Sequence, residues 1–163
     1  MAATSTGVLK HIQRIMQAAT ERGGFETLTM ANVKLLSAEV GRVHFEIPVS
    51  KESTNAMGGT HGGWLSTIVD VGGSLAVATH GFTTTGVSTD LSVSFLSASG
   101  PGHRLLVDAQ VLKMGRTLAY TRVDIFSNEK MIATGNHTKF VAREQQQKEA
   151  KGAASASSED GAQ

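Results

Sequence analysis

Four segments in the second half of the chain alternate apolar and polar residues with the two-residue period of a strand. Val87, Thr89, Leu91, Val93 and Phe95 fall on one side, and Ser88, Asp90, Ser92 and Ser94 on the other. This parity places Ser88 opposite its strand's apolar set, pointing toward a partner chain or solvent. Leu105, Val107, Ala109 and Val111 alternate in the same way, as do Ala119, Thr121, Val123 and Ile125, and residues 131 to 141 follow. The links Gly100-Pro101-Gly102, Met114-Gly115-Arg116 and Asn128-Glu129 are short, which suits antiparallel neighbours. Upstream, Val43, Phe45, Ile47 and Val49 alternate with His44 and Glu46 over 41–49, and Pro48 marks an edge or a strand end. Residues 28 to 37 read as a further strand.

Two stretches follow the helical period instead. Val8, Ile12, Ile15, Met16 and Ala19 make one apolar stripe that ends before Gly23-Gly24. Lys10, Arg14 and Arg22, with no acid before Glu21, also resemble a mitochondrial leader, but the stripe favours a helix docked on the domain. From Gly62 to about His80 the apolar residues Trp64, Leu65, Ile68, Val69, Val71, Leu75, Ala76 and Val77 cover most of the helical circumference, as in a buried helix. Gly72 and Gly73 weaken this helix by about 1 kcal/mol each relative to alanine. Close approach of another backbone, at an interface or under a tightly wrapped sheet, is the expected compensation. The order helix, two strands, buried helix, four strands predicts an α+β domain over 1–142, with residues 1–24 as a helix packed on it. From Arg143 to Gln163 no aromatic or branched aliphatic residue occurs, so that tail is expected to be disordered.

Composition narrows the function. The 163 residues are 40% apolar with mean hydropathy near zero, and no run approaches the roughly 20 apolar residues of a membrane span. A net charge of +1 gives no footprint for nucleic acid. With no cysteine there is no disulfide, thiolate metal site or cysteine nucleophile. The six histidines include no pair three or four residues apart, which argues against a metal site. Neither the phosphate-loop nor the dinucleotide spacing of glycines is present, nor is a Gly-x-Ser-x-Gly elbow.

The chemistry concentrates in residues 53 to 70. Gly58, Gly59, Gly62 and Gly63 form a glycine-rich loop running into the buried helix, where backbone N–H groups could hold a carbonyl or an anion. Asp70 is the sole acid between Glu52 and Asp90. Together Thr54-Asn55-Ala56-x-Gly58, His61-Gly62-Gly63, Asp70, Gly86-Val87-Ser88 and Lys113-x-Gly115-Arg116-Thr117-Leu118-Ala119 resemble the signature of the hotdog-fold acyl-CoA thioesterases, over about residues 8 to 141.

The resemblance implies a hotdog fold, an antiparallel sheet wrapped around a central apolar helix, and hydrolysis of acyl-CoA to a carboxylic acid and coenzyme A with no cofactor. Gly62 and Gly63 would supply oxyanion donors, and Asp70 would act as general base or direct nucleophile. Asn55 would hold the carbonyl or the attacking water, His61 would shape the loop, and Ser88 would assist Asp70 across a subunit interface. Gly63, Phe95, Ser97, Lys113, Gly115, Arg116 and Thr117 would bind the substrate, with Lys113, Gly115 and Arg116 at the coenzyme A phosphates. One departure is visible: where the family has Tyr-x-x-Pro followed by a lysine, this chain reads Phe95-Leu96-Ser97-Ala98-Ser99-Gly100-Pro101.

Gly62 and Asp70 are eight residues apart, about 12 Å along a helix. One carbonyl cannot touch both in the same chain, so the reading requires a homodimer at minimum, and the family's usual assembly is a homotetramer. The expected compartment is the cytoplasm, with the mitochondrion as the alternative. Two other functions compete. A non-catalytic hotdog module would only bind acyl-CoA or a protein, and a hotdog dehydratase or hydratase would want a histidine paired with an acid in the helix.

Overall fold

The computed structural model describes residues 5–27 and 32–141. Helix α1 spans Ser5–Arg22, followed by β1 (Lys34–Glu39), β2 (Arg42–Pro48), a 3-10 turn at Lys51–Ser53 and helix α2 (Gly62–Ala78). Strands β3 (Val87–Phe95), β4 (Arg104–Met114), β5 (Leu118–Ser127) and β6 (Lys130–Phe140) complete it. All six strands form one antiparallel sheet in the order β1-β2-β4-β5-β6-β3. None of the described helices is long and apolar enough to cross a membrane.

The alternation of β2 explains its place. Val43, Phe45 and Ile47 are buried against the helix side, and the polar parity carries Arg42, His44 and Glu46 to the outer face. Pro48 ends the strand, where a missing N–H costs nothing. Helix α2 lies on the inner face with Leu65, Ile68, Val69, Leu75, Ala76 and Val77 buried. Burial of side chains of this size is worth about 1.5–3 kcal/mol each. The α1 stripe meets β1, with Ile12 fully buried and Val8, Ile15, Met16 and Ala19 packed around it.

Three sequence expectations change. The first strand begins at Lys34; residues 32–33 precede it as turn and coil, and 28–31 lie outside the described residues, as does the tail from 142 onward. Gly72 and Gly73 meet side chains of their own sheet: a Cβ at Gly72 would lie 3.2 Å from Val123 Cγ1, and one at Gly73 2.6 Å from Thr121 Oγ1. The alternation of β3 breaks between Ser88 and Asp90, where the register slips against β6. Ser88 therefore pairs with Lys139 on the helix-facing side, whereas an unbroken period would have turned it outward.

β3 is an edge strand on which Val87, Leu91 and Phe95 stand at 69%, 41% and 53% exposure. At nine residues it is long for an edge and carries neither lysine nor proline, its one interruption being the slip between Ser88 and Asp90.

Gly135 is the tightest contact between β6 and α2, since a Cβ there would lie 2.7 Å from Val69 Cγ1 and 2.9 Å from the backbone oxygen of Ser92. The backbone oxygen cannot swing aside as a side chain can. Gly135→Ala is therefore expected to cost about 1–3 kcal/mol in urea unfolding, the range for an overpacked core.

Candidate active site

The glycine loop is built from its own backbone and anchored to the segment that follows β3. Thr54 and Thr60 form an isolated bridge, Asn55 N–H donates to Gly59 O at 2.8 Å, and Gly58 N–H donates to Asn55 O at 2.9 Å. Asn55 Oδ1 accepts from the N–H groups of Met57 (2.9 Å) and Gly59 (3.3 Å). Those two donors fix the amide orientation, so Nδ2 is the group left to donate outward. Thr60 N–H donates to Ser99 O at 2.8 Å, which ties the loop to the segment after β3.

His61 is the N-cap of α2: its Nδ1 accepts from Gly63 N–H at 2.9 Å. Two geometric consequences follow for the loop. The Gly63 N–H is engaged by the cap and is not free for an oxyanion. The Gly62 N–H has no partner among the described residues and sits at the positive end of the helix. The Phe95 ring packs on the Cα side of Gly62, where a Cβ would be 3.4 Å from Phe95 Cζ. Ser97 follows, its N–H donating to Ile132 O at 3.1 Å. Asn55, His61, Gly62, Gly63, Phe95 and Ser97 thus gather at one end of the inner face. A cleft of about 360 Å³ opens beside them, between Phe25, Ile47, Pro48, Trp64 and Thr67.

Asp70 belongs to a different cluster. Its carboxylate, 46% exposed in the single chain, lies 3.5 Å from His137 Nε2 and 3.9 Å from Lys139 Nζ through Oδ1. His137 Nε2 is also 2.9 Å from Ser88 Oγ, and Lys139 Nζ donates to Ser74 Oγ at 2.8 Å. Asp70 and Ser88 therefore meet within one chain, around a shared histidine, and not across an interface as the sequence suggested. Burial holds the His137 imidazole below its ordinary range; the Lys139 ammonium pushes the same way, and Asp70 and Asp90 oppose. Burial likewise lowers Lys139, with Asp70 opposing.

The basic turn stands at this second end. Lys113, Arg116 and Thr117 are exposed, Gly115 N–H closes the turn on Leu118 O at 2.8 Å, and Thr117 O accepts from Val141 N–H at 2.7 Å. Met114 pairs with Ala119, Ala119 with Lys139, and Lys139 with Ser88, so one row of register neighbours runs from the turn to the serine. Three strand spacings make that row about 14 Å long.

Sequence reading missed His137, Lys139 and Ser74. The signal was present in β6 and the residue after it, where Ala133, Gly135, His137, Lys139 and Val141 share one parity and all are buried. Two ionisable residues on a core-facing parity mark a polar site inside the fold.

The comparisons agree with this architecture. The model of the thioesterase superfamily matches residues 57–134. Human acyl-coenzyme A thioesterase 13 is 35% identical over 138 residues, which are 83% of this chain and 98% of the relative. The crystal structure of zebrafish thioesterase superfamily member 2 superposes with a TM-score of 0.75 at 38% identity, covering 81% of this chain and 96% of that one. A thioesterase protein from Streptococcus pneumoniae, solved with coenzyme A, gives 0.64 at 29% identity over 68% of this chain and 88% of that one. This chain belongs to the thioesterase superfamily: it is a thioester hydrolase with the hotdog fold, a sheet wrapped around the helix that carries Asp70.

The lowered His137 has a consequence for stability. Unfolded, a histidine takes up a proton near pH 6.5, which the folded chain refuses. The unfolded state therefore binds more protons in the window below that value. The histidine's contribution to stability is full above about pH 6.5 and is lost as pH falls, by up to about 1.4 kcal/mol per pH unit for one proton. Urea unfolding at pH 7.5 and 5.5 should show a larger loss in the wild type than in His137→Gln.

Proposed function

We propose that the protein hydrolyses acyl-CoA thioesters to a carboxylic acid and coenzyme A, in sites that two copies of the chain share. The name of the human relative and the coenzyme A held by the pneumococcal neighbour support the substrate class. The division of labour along α2 carries the rest. The free donors Gly62 N–H and Asn55 Nδ2 stand at the helix start, and Asp70 stands eight residues, about 12 Å, further on. Edge strand β3 offers the way to join them. Paired antiparallel with its own copy about Leu91, the middle of the strand, it would set the Phe95 end of one chain beside the Val87 end of the other. The donor cluster of each copy would then face the acid cluster of its partner.

In that site Gly62 N–H and Asn55 Nδ2 hold the thioester oxygen as it gains charge. A water attacks the carbon while Asp70 takes its proton and Ser88 orients it. The tetrahedral adduct then collapses, the C–S bond breaks, and the thiolate leaves with the proton that Asp70 returns. His61 keeps the helix start in shape by capping it. Phe95 and Ser97 line the approach with Gly63, and the turn of Lys113, Gly115, Arg116 and Thr117 receives the phosphates. No cofactor takes part. Leu106, Tyr120 and Phe140, exposed on the outer face, give a second dimer a surface to pack on, which would make a tetramer.

Thiol release from a panel of acyl-CoAs tests the reading. Asp70→Ala should lose about a hundredfold or more in kcat, the scale of a lost general base. Asn55→Ala should also be impaired. Co-expressed in equal amounts, the two variants should regain about a quarter of wild-type activity, because half the dimers are mixed and each holds one intact site. No recovery on mixing, or a fully active monomer in sedimentation, would overturn the shared site. A binding-only module would show no thiol release with any substrate.

A further inference from the structure

Ser88, His137 and Asp70 are the residue types of a hydrolytic triad, and both Ser88 and Asp70 lie close to the His137 ring. Their connectivity is not that of a triad. In a triad the serine and the acid sit on opposite ring nitrogens, so that the acid holds one N–H while the other nitrogen accepts the serine's proton. Here Ser88 Oγ (2.9 Å) and Asp70 Oδ1 (3.5 Å) both face Nε2. The opposite nitrogen, Nδ1, is buried with no hydrogen-bond partner among the described residues. It points at the gap left by Gly73, where a Cβ would lie 2.8 Å away.

This arrangement selects one tautomer. A proton on Nδ1 would leave a buried donor unsatisfied and turn the bare lone pair of Nε2 toward the Asp70 carboxylate. A proton on Nε2 gives that nitrogen an acceptor in Ser88 and an attractive contact with Asp70, and leaves only an unfilled lone pair at Nδ1. The doubly protonated ring is disfavoured by its full burial and by the Lys139 cation, whose own hydrogen bond goes to Ser74.

We propose that His137 is a positioning residue whose Nε2–H donates to Ser88 Oγ, so that the serine's own hydrogen is turned outward toward the reacting water beside Asp70. The consequence is chemical. A nitrogen that donates to Ser88 cannot take its proton, so Ser88 is not a nucleophile and no acyl-Ser88 ester forms. Water attacks the thioester carbon directly, its proton passes to Asp70, and the C–S bond breaks without an enzyme ester between. This deepens the hydrolysis proposed above and rests on Asp70 and Ser88 acting there.

Two measurements test it. Nitrogen-15 correlation spectra of the wild-type imidazoles, with the His137 signal assigned by its loss in His137→Gln, should show Nε2 protonated and Nδ1 bare; the opposite tautomer overturns the proposal without any kinetic variant. Steady-state thiol release is then compared for wild type, His137→Ala, His137→Gln, Ser88→Ala and the double variant Ser88→Ala/His137→Ala. His137→Ala should lose roughly tenfold or more in kcat with KM little changed, as for a displaced reacting group. His137→Gln, whose amide can still donate to Ser88, should recover most of that loss. In the Ser88→Ala background, His137→Ala should cost almost nothing further, because the two act as one unit. Losses that multiply in the double variant, failure of glutamine to rescue, or an acyl-Ser88 adduct in quenched mass spectra would each overturn it. A fully active Asp70→Ala would instead sink the underlying assignment of the site, and so separates the two failures.

Discussion

The seam between α2 and the sheet is closed by what is missing from it. Gly72 and Gly73 on the helix and Gly135 on β6 leave no side chain at three points of closest approach, and their places are taken by Val123, Thr121, His137 and Val69. Helix and strand can then come near enough for Asp70 to stand 3.5 Å from a histidine that is wholly buried behind it. A methyl group at Gly73 would strike Thr121 and His137 together. Two mid-helix glycines cost about 1 kcal/mol each in propensity, and the same absence of side chains lets a polar cluster sit inside an apolar wrap.

Much of the fold was legible because its elements obey one period each. The four late strands, the β2 alternation and the apolar helix could be read directly, and the sheet around the helix follows from their order. The irregularities could not. The slip between Ser88 and Asp90 has no marker in Val87-Ser88-Thr89-Asp90; it shows only when β3 is laid against β6. That single slip decides which side of the sheet Ser88 faces, and so whether it meets its own Asp70 or another chain. The start of β1 was lost for a different reason, because apolar residues between 28 and 37 alone do not fix where pairing with β2 begins.

The site was half legible. The motif residues fall into two clusters as the helix geometry demanded, but their individual tasks depend on hydrogen bonds that spacing does not reveal. Gly62 and Gly63 look equivalent in sequence, yet one N–H is consumed by the His61 cap and the other is not. Asn55 could have presented either end of its amide, and two loop N–H groups decide it. His137 and Lys139 stayed hidden because attention to the loop and helix passes over a strand whose polar residues share a parity with Ala133 and Val141.

Two basic side chains buried under one acid need a physical reason to persist. Lys139 is nearly inaccessible, and its partners are a serine hydroxyl and a carboxylate 3.9 Å away. Burying an ammonium costs several kcal/mol unless charge and hydrogen bonds compensate, and a pair of this kind seldom adds net stability over apolar residues. Its value lies in what it does to the acid. Lys139 and His137 hold the Asp70 carboxylate from the buried side, and Ser88 is joined to the same cluster through His137. The two strands that supply these groups, β3 and β6, are neighbours at the open edge of the sheet. The fold therefore places its least stabilising residues beside an unpaired edge, where a second copy would both shield them from water and bring the carbonyl donors that a single chain keeps about 12 Å away.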